Sequence, residues 1–197
     1  QVAGDFYDVF PLEDGKWLAV AVADVCDKGV GAALFMALFR SLIRVFALQN
    51  FSNRDLEGKN AEPQPAEALK KTVVLTNNYI ATTHSRESMF VTLFLGILDV
   101  KKGVVFYING GHEPPVVIGQ NGIRKQLNPT GPAVGALPEL DYHTQYIQLQ
   151  PEEILFVYTD GLTDALSQTG ESFTKERLIA LLAEPSSSAE VFLDRLK

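Results

Sequence analysis

The stretch Leu18–Phe39, LAVAVADVCDKGVGAALFMALF, passes without a break from an alternating, strand-like run into a nearly all-apolar, helix-like one. Its join carries Asp24, Asp27, Lys28, Gly29 and Gly31. Three readings compete for that join: a metal site, a phosphate cradle, or a turn that caps a helix. The cradle is the poorest match, because the spacing G-x-x-x-x-G-K-[ST] is absent. A run of alternating residues followed by a helix period also fixes the local order as strand then helix.

Working outward, DFYDVFPL and WLAVAVAD are β-prone runs separated by EDGK, a turn of the kind hairpins use, so they pair as antiparallel neighbours. From Gly29 to about Gln49 only Arg40, Ser41 and Arg44 interrupt the apolar residues, which predicts a helix buried on most of its surface, with Asp27 or a neighbour near its N-cap. NFSNRDLEGKNAEPQP has no period and reads as a mobile loop. Pro65 opens a second helix whose face is Leu69, Val73, Asn77 and Ile80. MFVTLFLGILD, KKG and VVFYIN form another hairpin, and short strands follow in PPVVIG, Ile123 to Leu127, HTQYIQL and ILFVYTD. Helices around Lys175 to Ala183 and from Ser187 onward close the chain. Segregated strands and helices with short turns predict an α+β fold with mainly antiparallel sheets, and strands apolar on both faces predict that two sheets stack with helices outside.

The bulk properties exclude several classes. The 197 residues suffice for one substantial domain, and a content of 46% hydrophobic and 21% charged residues is that of a globular protein. A formal net charge of −7 leaves no basic stripe for nucleic acid, so an acidic chain acting on phosphate groups needs bound cations. Cys26 is the sole cysteine, which suits a reducing compartment. No uninterrupted apolar run reaches the roughly 18 residues of a membrane span, and no signal peptide is visible. These features predict a cytoplasmic module.

Asp5, Asp24 and Asp160 each stand at the end of an apolar β run, where a carboxylate is costly unless it is paired or bound to a metal. Carboxylate oxygens suit the hard cations Mg²⁺ and Mn²⁺, and no Cys/His cluster is present for zinc. Each Asp alone could equally cap a turn. His112, in GGHEPP, reads as part of a tight turn or as a general base. Cys26 lacks an evident base partner, and His84 and His143 read as surface residues.

Five motifs then stand in order: AGDFYD (Ala3 to Asp8), ADVCDKGVGAAL (Ala23 to Leu34), NGGHEPP (Asn109 to Pro115), PTGPAVGAL (Pro129 to Leu137) and YTDGLTDA (Tyr158 to Ala165). Together they resemble the PPM metal-dependent protein serine/threonine phosphatases, in the bacterial SpoIIE/RsbU-like branch. The resemblance implies an αββα sandwich and a single phosphatase domain over residues 1–197, without the branch's N-terminal strand and C-terminal Asp-bearing strand. It implies two Mg²⁺ or Mn²⁺ ions bridged by Asp24, with the Val25 carbonyl as a further ligand, Asp160 on the first ion and Asp5 serving the second. Gly161 would give room beside the metal and Asp164 would lie further out. Asp27, often Gly in relatives, is not expected to be an essential ligand.

Water activated between the two ions would attack phosphoserine or phosphothreonine, with no covalent phosphoenzyme. The implied partners are a phosphorylated STAS-type anti-anti-sigma protein and upstream sensor or response-regulator domains, with no nucleic acid and no direct membrane span. A homodimer is compatible with the same reading. The helices at about Gly29 to Gln49 and Pro65 to Thr83 would form a regulatory contact. With the C-terminal Asp absent, the first-metal site is expected to be incomplete. The alternative is a catalytically silent binding module of the same fold, and a third reading is an unrelated two-metal hydrolase of small phosphoesters.

Overall fold

The computed structural model describes residues 4–52, 64–84, 89–167, 170–184 and 188–196. The chain divides into two compact units, 1–112 with 129–148, and 113–128 with 149–197.

The first unit is built on a five-stranded antiparallel sheet in the order β1-β2-β3-β4-β7, formed by β1 (Phe6–Leu12), β2 (Trp17–Val25), β3 (Val91–Asp99), β4 (Val104–Gly110) and β7 (Gln145–Gln148). The expected hairpins are present. β1 pairs with β2 from Phe6↔Ala23 to Leu12↔Trp17 across a 3₁₀ turn at Glu13–Gly15, and β3 pairs with β4 around the KKG turn. Period-two alternation gives β2 an inner face of Ala19, Ala21, Ala23 and Val25, all buried. These small side chains leave space for the aromatic and aliphatic residues of two helices, α1 (Val30–Ser52) and α2 (Pro65–Thr83). Phe6 meets Phe39 at 6.1 Å between ring centroids, and Trp17 meets Phe51 edge-on at 5.7 Å.

Helix α1 differs from expectation in its burial. Ala32, Phe35, Phe39, Ile43, Ala47 and Phe51 form one buried stripe at helical spacing, whereas Val30 and Leu34 are 71% and 69% exposed, and Val45 and Leu48 are also exposed. An apolar composition on all sides does not state which face meets the sheet. Only one stripe can do so when a helix lies on a single layer. An 18-residue window within Val30–Phe51, Arg40 and Arg44 included, has a mean hydropathy of 1.8, and the helix is by length and composition sufficient to cross a membrane. Here its buried stripe packs on β1, β2 and α2.

The two arginines of α1 have a specific partner. Asp8, on the helix-facing side of β1, is buried, and its carboxylate accepts from Arg44 Nε (2.9 Å), Arg44 Nη2 (2.6 Å) and Arg40 Nη2 (3.2 Å). The Arg44 guanidinium also lies 4.5 Å from the centroid of the Phe10 ring. A bidentate arginine with a second donor satisfies the buried charge that an apolar seam would otherwise reject.

The second unit holds a three-stranded antiparallel sheet in the order β6-β5-β8, from β5 (Val116–Gly119), β6 (Gly122–Gln126) and β8 (Ile154–Phe156), with α3 (Asp160–Thr163), α4 (Lys175–Leu182) and α5 (Ala189–Arg195). Its core joins Val116, Ile118 and Phe156 to Leu178, Leu182 and Phe192. Two antiparallel sheets with separate helices bear out the α+β class. The loop expected at Asn50 to Pro65 falls largely outside the described residues.

The Arg44 guanidinium, through its hydrogen bonds, holds the Asp8 carboxyl below its ordinary value of 3.8. The ionised carboxylate is therefore favoured in the folded state, and its contribution is complete above the ordinary value and lost as pH falls through the lower, folded value. Asp8→Asn should lower stability at neutral pH and flatten the acid limb of a stability-against-pH curve from urea denaturation below about pH 4. An acid limb identical to that of wild type would contradict the assignment.

Candidate metal centre

One residue beyond the last β1–β2 pair, Phe6↔Ala23, stand Asp5 and Asp24, so the hairpin brings these two carboxylates to one end of the sheet. Asp24 is itself the penultimate residue of β2 and pairs with Thr92 of β3, so its backbone is held in the β2–β3 ladder. Gly4 is the tight point. A Cβ placed on it would lie 3.0 Å from both the Cβ and the carbonyl oxygen of Val25, and 3.3 Å from the carbonyl oxygen of Asp27. Glycine thus lets the chain entering Asp5 run directly against the Val25 carbonyl. The first unit therefore gathers Asp5, Asp24 and the Val25 carbonyl within one strand-end region, and all three are oxygen donors.

Of the residues expected near the N-cap, Asp27 or a neighbour, it is the neighbour Gly29 that adjoins the start of α1. Asp27 Oδ1 accepts from the neighbouring Lys28 N–H at 2.7 Å, and the helix starts with the Ala33 N–H to Gly29 carbonyl bond at 3.1 Å. Gly29 takes φ +96°, a conformation only glycine adopts cheaply, which turns the chain from strand into helix. Cys26 is exposed, and its Sγ accepts from the Phe90 N–H at 3.3 Å.

Asp160 lies in the second unit, and its local support differs from the expectation. ILFVYTD does not continue as a strand to Asp160. β8 ends at Phe156, opposite Val116, the first residue of β5. Asp160 instead opens the short helix α3, is exposed, and accepts on its backbone carbonyl from the Asp164 N–H (2.8 Å) and Thr163 Oγ1 (3.0 Å). Gly161 follows within the same turn and is also exposed. Neither unit, among its described residues, has three His, Cys, Asp or Glu side chains gathered into a cage.

His112 and Thr92 were not legible as neighbours of this site. His112 is buried, its backbone N–H donates to Asn109 Oδ1 (2.8 Å), and its Nδ1 lies 2.9 Å from Thr92 Oγ1. Because Thr92 pairs with Asp24 across the ladder, the GGH turn braces the strand beside the carboxylate. No periodicity signal links residues 24, 92 and 112; only the strand register does.

The SpoIIE family model, Stage II sporulation protein E, matches residues 14–197. The chain belongs to the SpoIIE family. It is 44% identical over 207 aligned positions to Protein IcfG of Synechocystis, covering 100% of this chain and 32% of that protein. It is 25% identical to the phosphoserine phosphatase RsbU of Bacillus subtilis, covering 86% of this chain and 45% of RsbU. The chain thus spans less than half the length of these curated relatives. In three dimensions it is similar to the catalytic domain of the serine/threonine protein phosphatase PstP, solved with two manganese ions, at a TM-score of 0.62 and 15% identity over 98% of this chain and 83% of that one. SpoIIE membership agrees with the five motifs, and the likeness to PstP shows that the chain has the fold of that phosphatase domain.

The packing of Gly4 on Val25 yields a direct test. Gly4→Val should displace Asp5 from the Val25 carbonyl, weakening Mn²⁺ binding roughly tenfold or more, as loss of a supporting contact at a metal site does. Thermal unfolding with and without Mn²⁺ reads this as a smaller metal-induced rise in Tm than in wild type. An undiminished rise would show that Gly4 does not shape the site.

Proposed function

We propose that residues 1–197 act as one phosphatase domain, hydrolysing phosphoserine or phosphothreonine on a protein with Mg²⁺ or Mn²⁺ held by Asp5, Asp24, the Val25 carbonyl and Asp160. The observation that carries this reading is the close approach of Gly4 to the Val25 carbonyl, which brings the Asp5 and Asp24 strand ends together around an all-oxygen donor set. Such donors fit hard divalent cations. Two ions are the number in the PstP structure. When bound, these cations lower the pKa of water and neutralise phosphoryl oxygens.

The remaining roles belong to the chain. The β2–β3 ladder holds Asp24 opposite Thr92, and the lack of a side chain at Gly4 leaves the space beside the Val25 carbonyl unfilled. Asp164 closes the α3 turn on the Asp160 carbonyl and so orients Asp160, and Gly161 keeps the adjacent backbone free of a side chain. A net charge of −7 makes the cations necessary for any approach of a phosphate group.

Similarity to RsbU supports a phosphoserine-bearing protein substrate. A STAS-type partner, attached sensor or response-regulator domains, homodimerisation and a cytoplasmic location rest on the branch resemblance carried by the motifs.

The test is Mn²⁺-dependent dephosphorylation of a phosphoserine-bearing STAS protein by the full-length protein. Cation stabilisation of a phosphoryl-transfer transition state is worth several kcal/mol, so Asp24→Ala and Asp160→Ala should each lose at least about a hundredfold in kcat/KM while circular dichroism stays unchanged. Binding of the STAS protein without metal-stimulated turnover would replace this reading with a silent regulatory module. Turnover of small phosphoesters alone would replace it with a different hydrolase.

A further inference from the structure

Asn77 stands on the apolar stripe of α2 between Val73 and Ile80, is fully buried, and uses the whole bonding capacity of its side-chain amide. Its Oδ1 accepts from the Gly135 backbone N–H (2.8 Å) and the Tyr142 hydroxyl (3.0 Å). Its Nδ2 donates to the Leu137 carbonyl (3.0 Å) and to Asn78 Oδ1 (3.1 Å). Asn78 Oδ1 in turn accepts from the Glu139 N–H at 2.9 Å. Two consecutive helix residues thereby hold the main chain of 135–139 against α2. Gly135 permits the approach: it takes φ +90°, and a Cβ there would collide with the Ile80 side chain.

The residue before Gly135 carries the connection onward. Val134 exchanges both backbone bonds with Val91, the N–H of Val91 to its carbonyl at 2.9 Å and its own N–H to the Val91 carbonyl at 2.8 Å. Val91 pairs with Val25, and the Cys26 N–H donates to the Phe90 carbonyl at 3.0 Å. A path of hydrogen bonds and the peptide links between them therefore runs from Asn77 through Gly135, Val134, Val91 and Phe90 to the Cys26 N–H, which shares its peptide unit with the Val25 carbonyl, a candidate cation donor.

We infer that Asn77 is a positioning residue for that carbonyl: by fixing Gly135 it seats Val134 on Val91 and so sets the end of β2 at Val25. This rests on the reading of Asp24 and Val25 as cation ligands. The link through Gly135 is the transmitting one, and the bond to Tyr142 serves stability alone. This division separates a positioning role from a merely structural one.

The experiment compares Asn77→Leu, Asn77→Asp and Tyr142→Phe in the full-length protein by Mn²⁺ calorimetry, amide hydrogen exchange and phosphatase kinetics. Asn77→Leu should raise the Mn²⁺ dissociation constant about tenfold, with kcat at saturating Mn²⁺ little changed, and should speed exchange of the Val91 and Cys26 amides. Asn77→Asp, which keeps an acceptor for Gly135, should retain most of the affinity. Tyr142→Phe should lower Tm and leave both affinity and those amides as in wild type. Should Asn77→Leu fail to fold, Asn77→Ser, whose hydroxyl is one bond shorter, carries the same comparison. Unchanged exchange at Val91 and Cys26 in the Asn77 variant, or equal Mn²⁺ shifts in Asn77→Leu and Tyr142→Phe, would overturn the inference while leaving the phosphatase reading intact. A wild-type protein that binds no Mn²⁺ would remove the cation site and the inference together.

Discussion

Strand β2 is bonded along both edges, to β1 and to β3, and every feature of the first unit depends on that double ladder. Because side chains alternate with a period of two, a slip of one residue would send Ala19, Ala21 and Ala23 to the opposite face and bring Val20, Val22 and Asp24 under the helices. The alanine face admits α1 and α2 closely, and the bulkier alternative would not. The register that buries the core therefore also places Asp24 beside Asp5, so the packing of the apolar face and the position of the carboxylates are one choice rather than two.

The helical layer is held to this sheet by apolar burial and by one charged cluster. Asp8 lies three residues from Asp5, and its partners Arg40 and Arg44 occupy the middle of α1. A buried ion pair is a weak source of net stability, but losing one partner is costly, and its geometry discriminates between helix positions that dispersion contacts treat almost alike. The cluster thereby ties the angle of an otherwise apolar helix to the strand that leads out of the AGD motif. The outward face of α1, with Val30, Leu34, Val45 and Leu48, takes no part in this anchoring.

Local periodicity made the hairpins and the two long helices legible, since alternation in WLAVAVAD and the i, i+4 recurrence of Leu69, Val73, Asn77 and Ile80 are properties of single segments. Contacts that depend on a distant partner were not legible in this way. Asp8 meets arginines 32 and 36 residues away, and Asn77 meets Gly135 and Tyr142 at separations of 58 and 65. The strand expected to reach Asp160 stops at Phe156, opposite Val116, because its partner strand begins there, and the start of β5 is set outside the ILFVYTD segment. The burial of α1 differs from expectation because composition counts apolar residues without showing which side meets the sheet, and among the described residues Val30, Leu34, Val45 and Leu48 stay exposed. Motif order supplied the candidate site residues where periodicity could not, since AGD and YTDG are constrained by backbone approach and turn chemistry instead of by amphipathicity.

The proposed ligands consequently rest on supports of unequal stiffness. Asp24 is held in the β2–β3 ladder, and the Val25 carbonyl shares a peptide unit with the Cys26 N–H that donates to Phe90, next to Val91, Val134 and the Asn77 hub, so each would have to disrupt backbone bonds in order to move. Asp160 stands in a four-residue helix closed by the Asp164 N–H and the Thr163 hydroxyl, beyond the end of its strand. A short exposed helical turn opens at less cost than a buried ladder, because fewer apolar contacts and hydrogen bonds are lost together. The preorganised part of the donor set is therefore the strand-borne pair with its carbonyl. Asp160 is the ligand whose ordering a bound cation would chiefly supply, and this places the ordering cost of cation binding in the YTDG motif rather than in the sheet.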